Sequence, residues 1–208
     1  MRQFWLKKLP GFTLIELSIV MIIVGIITAA VFKGQDLLES ARLKATAEEF
    51  YRYRLACHLY VEAFGYLPGN DPQAHDRFGV GVVSGSGQGI IQGHEQDQFW
   101  VHLSKFNDLA PGSAPQSKIG GVFSVIANNR RGDLIGNWLI LSAQKGTMLS
   151  ILTPRQAMTL KSKMGEARPV DGKLRILEGE DARGGDCVSE GHYNLSHNRV
   201  VCVAVMAL

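Results

Sequence analysis

Glu16 is the one charged side chain in a run of 21 residues, 12–32, that is otherwise uncharged and mostly apolar. At about 1.5 Å per residue a helix of that length spans roughly 32 Å, enough for the hydrocarbon core of a bilayer. A carboxylate inside such a helix is costly and calls for a partner. Ahead of the run, residues 1–11 carry Arg2, Lys7 and Lys8 and no acid, a bias that holds the N-terminal end of a membrane helix in the cytoplasm. A secretory signal peptide has a shorter apolar core followed by small residues at a cleavage site. Ala29-Ala30 would serve only loosely, and the polar sequence beyond Phe32 continues a helical pattern. A plain membrane anchor accounts for the length and for Lys7 and Lys8, but leaves Glu16 unexplained.

Elsewhere the reactive residue types fall into no catalytic pattern. The histidines at 58, 75, 94, 102, 192 and 197 form no H-E-x-x-H, and His94-Glu95 is a lone dipeptide. Ser84 and Ser86 lie in the glycine-rich stretch GVGVVSGSGQGIIQG, residues 79–93. Its G-x-G spacings lack the strand–turn–helix frame and downstream acid of a dinucleotide site, so the stretch reads as a flexible surface loop. No phosphate-loop lysine motif occurs. A net charge of +3 over 208 residues is too small to imply a nucleic-acid partner. Arg131-Gly132-Asp133 reads as a turn between strands. No cofactor is implied, and the chain reads as no enzyme.

These residues need elements to hold them. From Lys33 to Phe64 there is no proline, and Leu43, Ala47, Phe50, Tyr53, Cys57, Tyr60 and Phe64 recur in steps of three and four. That pattern predicts one helix over residues 12–64, whose second half, 33–64, is amphipathic and packs on a globular head. Gly34 is the expected point of bending. Cys57, on the apolar stripe, is expected to be a buried free thiol. Gly65-Tyr66-Leu67-Pro68-Gly69-Asn70-Asp71-Pro72 ends the helix. A short helix is expected over residues 97–106, capped by Asp97, with Phe99, Leu103 and Phe106 inward and His102 structural. Strands are expected at Val122–Ala127 and at 138–143, 147–152, 174–177 and 200–206. Thr153-Pro154-Arg155-Gln156 opens a helix through a capping box, which runs to Met164 and stops at Gly165. The fold class is α+β.

Gly11-Phe12-Thr13-Leu14-Ile15-Glu16-Leu17, behind a basic leader and opening a long apolar run, resembles the cleavage and methylation motif of type IV prepilins and type II secretion pseudopilins. Further along, Gly34-Gln35-Asp36-Leu37, Ala41-x-Leu43, Tyr66-Leu67-Pro68-Gly69 and Phe99-Trp100-x-His102-Leu103 resemble a subgroup of prepilin-type proteins. The resemblance implies a pilin-like fold, with the long N-terminal helix laid on an antiparallel sheet. It implies four regions: a leader, 1–11; a membrane and assembly half-helix, 12–32; an amphipathic half-helix, 33–64; and a head, 65–208. A prepilin peptidase and methyltransferase would cut between Gly11 and Phe12 and N-methylate Phe12. Glu16 would then pair with the Phe12 amine of a neighbouring subunit.

The partners so implied are other pilin or pseudopilin subunits, the processing enzyme and an inner-membrane assembly machinery. The location is a bacterial inner membrane, crossed once, with the head in the periplasm and the assembled filament extending outward. The product would be a structural subunit of a type IV pilus or a type II secretion pseudopilus. A minor subunit is favoured because the head is larger and more loop-rich than a repeated lattice requires. The alternative is a membrane-tethered adhesive or ligand-binding module with the same leader. An oxidising compartment permits a disulfide, and pilins often close their C-terminal region with one, which points to Cys187 and Cys202. Some pseudopilins hold calcium in a C-terminal loop, and Asp171, Glu178, Asp181 and Asp186 are the residues to consider here. Their spacing fits no calcium loop, and Lys173, Arg175 and Arg183 lie among them, which favours a solvated charged loop with no metal.

Overall fold

The computed structural model describes residues 11–127, 134–196 and 198–208. The basic side chains of the leader, the Arg131-Gly132-Asp133 tripeptide and His197 lie outside the described residues. The chain divides into two compact units, Met1–Ser40 and Ala41–Leu208, and helix α1, Leu14–Phe64, contributes to both.

In the first unit α1 is exposed along its whole apolar run. Among the described residues it is the one helix long and apolar enough to cross a membrane. Helix begins at Leu14 rather than Phe12, because Thr13 takes the capping position. At Gly34, the expected point of bending, α1 remains helical. A lone glycine costs only about 1 kcal/mol against alanine in a helix interior.

In the second unit the inward stripe of α1 is Leu43, Thr46, Ala47, Phe50, Tyr53, Ala56, Cys57 and Tyr60, the three- and four-residue rhythm of one helical face. It lies on a four-stranded antiparallel sheet ordered β1-β2-β6-β3. These strands are β1 Val122–Ala127, β2 Asn137–Ser142, β3 Leu174–Glu178 and β6 Cys202–Ala207. Phe123 on β1 meets Phe50 and Tyr53 edge to face, with ring centroids 4.9 and 5.2 Å apart, a favoured aromatic geometry. Arg54 Nε donates to the Ala207 carbonyl of β6 at 3.0 Å. Successive strand residues point to opposite faces. Phe123, Val125, Leu139, Leu141, Ala204 and Met206 join the core beneath α1. Ile126, Trp138, Ile140, Val203 and Val205 form a second cluster with Leu134 and Met148. Both faces of the central strands are therefore apolar, which is why β6 reads as a continuous hydrophobic run. A long N-terminal helix with an antiparallel sheet is the α+β, pilin-like architecture the residues resemble.

The shorter elements depart from expectation in instructive ways. No strand forms over 147–152. The Ser150 N–H donates to Asp181 Oδ1 at 2.8 Å, and the N–H groups of Ile151 and Leu152 both reach the Cys202 carbonyl. This leaves one isolated bridge, Leu152 to Cys202, in place of a ladder. Helix α3 is Glu95–Phe106 and starts two residues before Asp97. Asp97 is therefore no cap, and it pairs with Lys145. Trp100 and His102 join Phe99 and Leu103 in the interior, while Phe106 is only partly buried. Helix α4, Pro154–Lys163, has the expected capping box: Gln156 N–H to Thr153 Oγ1 at 3.2 Å and Thr153 N–H to Gln156 Oε1 at 3.0 Å. Helix α2, Ala74–Phe78, and the hairpin β4 Val188–Ser189 with β5 His192–Tyr193 are additional to the sequence reading.

Candidate functional site

The N-terminal segment is built around Thr13 and Glu16. The Glu16 carboxylate turns back to the start of its own helix, where Oε2 accepts from both Thr13 N–H and Thr13 Oγ1 at 2.8 Å. Glu16 N–H returns a bond to Thr13 Oγ1 at 3.3 Å. This is a capping box, satisfying donors that the first turn of any helix leaves without intrahelical partners. A negative side chain in the first turn also complements the helix dipole. Reading Glu16 for its cost in a membrane and for a partner on a neighbouring subunit does not include this role, although T-x-x-E before an apolar run is the signature of such a box. The other polar groups in the apolar run are satisfied within the helix as well. Ser18 Oγ donates to the Ile15 carbonyl at 2.8 Å and Thr28 Oγ1 to the Val24 carbonyl at 2.7 Å. Thr13, Ser18 and Thr28 thus find hydrogen-bond partners within the helix, as an apolar surrounding demands.

Phe12, just ahead of the cap, is 83% exposed. Among the described residues nothing lies within 4 Å of where a Cβ on Gly11 would sit. The pair Gly11-Phe12 thus lies open at the entrance of the helix, with the carboxylate one turn beyond.

In the head, the turn after α1 is a hub. Gly69 has φ +79, and a Cβ there would lie 2.3 Å from the Glu95 carbonyl oxygen, so only glycine allows α3 to approach so closely. The Gly69 N–H donates to His102 Nδ1 at 2.9 Å. Asn70 Nδ2 donates to Glu95 Oε1 at 3.0 Å, and Asn70 Oδ1 accepts from Gly89 N–H at 2.7 Å. Asp71 Oδ2 accepts from Tyr60 Oη at 2.8 Å and from Arg77. Burial pushes the Tyr60 phenol up, and the Asp71 carboxylate adds to the shift. Burial works against the Glu95 carboxylate too, but the N–H groups of Ser86 and Gln92 outweigh it and hold its pKa below the usual range. Residues 79–93 are therefore not the flexible loop expected. Val82 and Ile91 are buried, and a Cβ on Gly85 would sit 2.4 Å from Asn70 Cα. Ser84 Oγ meets the backbone N–H of His75, and Ser86 Oγ the side chains of Asn70 and Glu95.

At the C-terminal end a disulfide joins Cys187 to Cys202, with Cα atoms 5.3 Å apart. Glu178, paired with Cys202 in the sheet, gathers the crosslinked loop. Its Oε1 accepts from the N–H groups of Gly185, Cys187 and Val188 at 2.9, 3.0 and 3.2 Å. The other acids considered for calcium are turned to different tasks. Asp181 accepts from Ser150 N–H, Asp171 pairs with Arg168 at 3.7 Å and Asp186 with Arg199 at 3.5 Å. Among the described residues no three His, Cys, Asp or Glu side chains converge on a metal position. Cys57 is buried without a disulfide partner, and burial pushes its thiol up to about 12.

Residues 8–32 match the family model for the prokaryotic N-terminal methylation motif. The match covers the Gly11-Phe12 junction, the Thr13–Glu16 cap and the apolar run to Phe32. The leader is thus of the type IV prepilin and pseudopilin kind, as the residues resemble. No curated protein and no solved structure matches the chain.

Proposed function

We propose that this chain is a structural subunit, a minor pilin or pseudopilin, of a type IV pilus or type II secretion pseudopilus. Prepilin peptidase removes residues 1–11, the new Phe12 amine is methylated, and residues 12–32 hold the subunit in the inner membrane with its head in the periplasm. Assembly machinery then extracts it, and Glu16 docks against the Phe12 amine of a neighbouring subunit.

The observation that carries this reading is the methylation motif at the mouth of a membrane-length helix. Three features support it. Among the described residues nothing packs against Gly11, which fits a residue selected by an external enzyme. Cleavage at Gly11 creates a cation one turn from the Glu16 carboxylate, so charge of both signs stands at one end of an apolar helix, poorly solvated without a neighbour. The Cys187–Cys202 disulfide suits a head outside the reducing cytoplasm.

Intact-mass analysis of the native protein tests the reading. The expected mature chain lacks residues 1–11, leaving 208 − 11 = 197 residues, and carries one methyl group on Phe12. A mature N-terminus near Ala30 would identify a secretory signal and end the proposal.

A further inference from the structure

His102 is wholly buried on α3, and both of its ring nitrogens are engaged. Nδ1 accepts from the Gly69 N–H at 2.9 Å, so the ring is the tautomer with its proton on Nε2, which donates to the Val83 carbonyl at 2.9 Å. The ring stacks on Tyr60, with centroids 6.1 Å apart. His102 therefore ties residue 83 of the glycine-rich segment to the turn at Gly69. Around that tie the segment is held at neighbouring atoms: Val82 O meets His75 Nδ1 at 3.0 Å, and Val83 N–H donates to Gln98 Oε1 at 3.0 Å. Val82 is buried, whereas Val80 is 94% exposed between Gly79 and Gly81, both of positive φ. The segment is an apolar tip clamped at its base.

We propose that His102 is a proton-sensitive latch: the neutral ring locks residues 79–84 onto the Gly69 turn, and protonation releases them. An imidazolium has no lone pair at Nδ1, so it would face the Gly69 N–H donor to donor, while Nε2–H still donates to the Val83 carbonyl; the bond that protonation breaks is the one to the turn. One of the two must move, and a buried N–H without an acceptor is strongly disfavoured. The charged and titratable groups facing the ring offer no ready counter-ion. From the turn, Asp71 is occupied by Tyr60 of α1, Arg77 of α2 and the Gln73 N–H. On α3, Glu95 is occupied by Ser86, Gln92 and Asn70. His75, on α2, is exposed beside Val82.

Burial lowers the His102 pKa, against the raising influence of the Val83 carbonyl and the Asp71 and Glu95 charges. With the latched pKa below the released one, the latch is intact above about pH 6.5 and is lost as pH falls toward the latched value. One proton changes its closure by at most about tenfold per pH unit. The inference is independent of how the N-terminus is processed.

The test is hydrogen exchange on the full chain in detergent micelles from pH 7.5 to 4.5, corrected for intrinsic rates, alongside the ring-nitrogen shifts of His102. Protection at the Gly69 amide should fall up to tenfold per pH unit as the ring takes its proton, while Val83, held by Gln98, and Leu139 and Val205 in the sheet stay protected. In His102→Gln the side-chain amide can accept from Gly69 and donate to Val83 without titrating, so protection should persist into acid. Protonation of the ring with no loss at Gly69 overturns the latch. So does an identical acid profile in His102→Gln, which would place the transition outside the ring. If the variant does not fold, the comparison of ring shift and exchange in the wild-type chain still decides.

Discussion

Lys161 on α4 is wholly buried, and its ammonium is held by the chain that follows it. Nζ donates to the carbonyls of Arg168, Asp171 and, at 3.4 Å, Pro169, and lies 3.2 Å from Glu166 Oε2. The second oxygen of Glu166 accepts from Lys173 N–H at 2.8 Å, and Pro169 O accepts from Ile176 N–H of β3 at 2.8 Å. One ammonium thus folds residues 165–172 against α4 and sets the entry of the edge strand β3. Lys161→Met keeps the length of the stem and removes the charge. Breaking a buried pair by deleting one partner costs about 3–5 kcal/mol. Glu166 keeps 18% of its side chain exposed, and that access to water brings the expected loss to the lower end, about 3 kcal/mol. For a head of this size that lowers Tm by about 6–12 °C. Thermal unfolding of the full chain in micelles, followed through buried Trp100, measures it. Adding Glu166→Gln to Lys161→Met removes the stranded carboxylate and should recover about 1 kcal/mol or more, a coupling expected only of groups in contact. A single variant within about 0.5 kcal/mol of wild type, or a double variant no better than the single, would refute the reasoning.

Two further outcomes follow from the backbone and the core. Cys57, with its thiol pushed up to about 12 by burial, should resist alkylation at pH 8 in the folded head and react at once in denaturant; fast modification of the native protein would show that the α1 stripe opens. Glu190 sits at φ 52 with Gly191 at φ 78 in the two-residue connection of β4 and β5. Glu190→Gly should therefore raise stability by about 0.5–1 kcal/mol, read as a higher Tm, and a lower Tm would mean that the glutamate side chain supports the hairpin.

The parts of the fold legible in the sequence are those whose stabilising partners lie close along the chain or repeat with a period. The buried stripe of α1 follows from spacing alone, and the α4 capping box from Thr153 and Gln156, three residues apart. The unbroken apolar run of β6 signals a strand covered on both faces. What stayed hidden depends on partners far apart in sequence. Residues 79–93 look flexible because most of what orders them lies outside the segment, on Asn70, Glu95, Gln98 and His102 of two other elements. The expected strand at 147–152 is diverted by Asp181, 31 residues beyond Ser150. Helix α2 is five residues long, too short for a period, and the β4–β5 hairpin lacks the usual asparagine-glycine signal. At the N-terminus the motif itself is legible in residues 8–32, whereas the Thr13–Glu16 cap is hidden because a charge in an apolar run draws attention to its penalty first.

That cap changes how Glu16 is best tested. Alanine removes two things together: the acceptor for the Thr13 N–H and hydroxyl, and the negative charge offered to a neighbour. Glutamine separates them, because a capping box accepts Gln at the same position as Glu, while the charge is gone. If Glu16 serves only to start the helix, Glu16→Gln should assemble as the wild type does and Glu16→Ala should not. If the chain is merely anchored, both variants should insert at least as well as the wild type, since each removes a charge from an apolar run, and function should be intact. If Glu16 pairs with the Phe12 amine of a neighbour, both variants leave that cation without its partner when subunits dock. A buried charge stranded in this way weakens association by about a hundredfold or more. We therefore expect Glu16→Ala and Glu16→Gln to be cleaved at Gly11 and inserted normally, yet both to be depleted about a hundredfold from sheared filaments or crosslinked pseudopilus complexes. The comparison is made at native expression with the wild-type copy deleted. Glutamine incorporated at the wild-type level would refute the pairing, because it would show that a hydrogen-bonding cap, without charge, is sufficient for assembly.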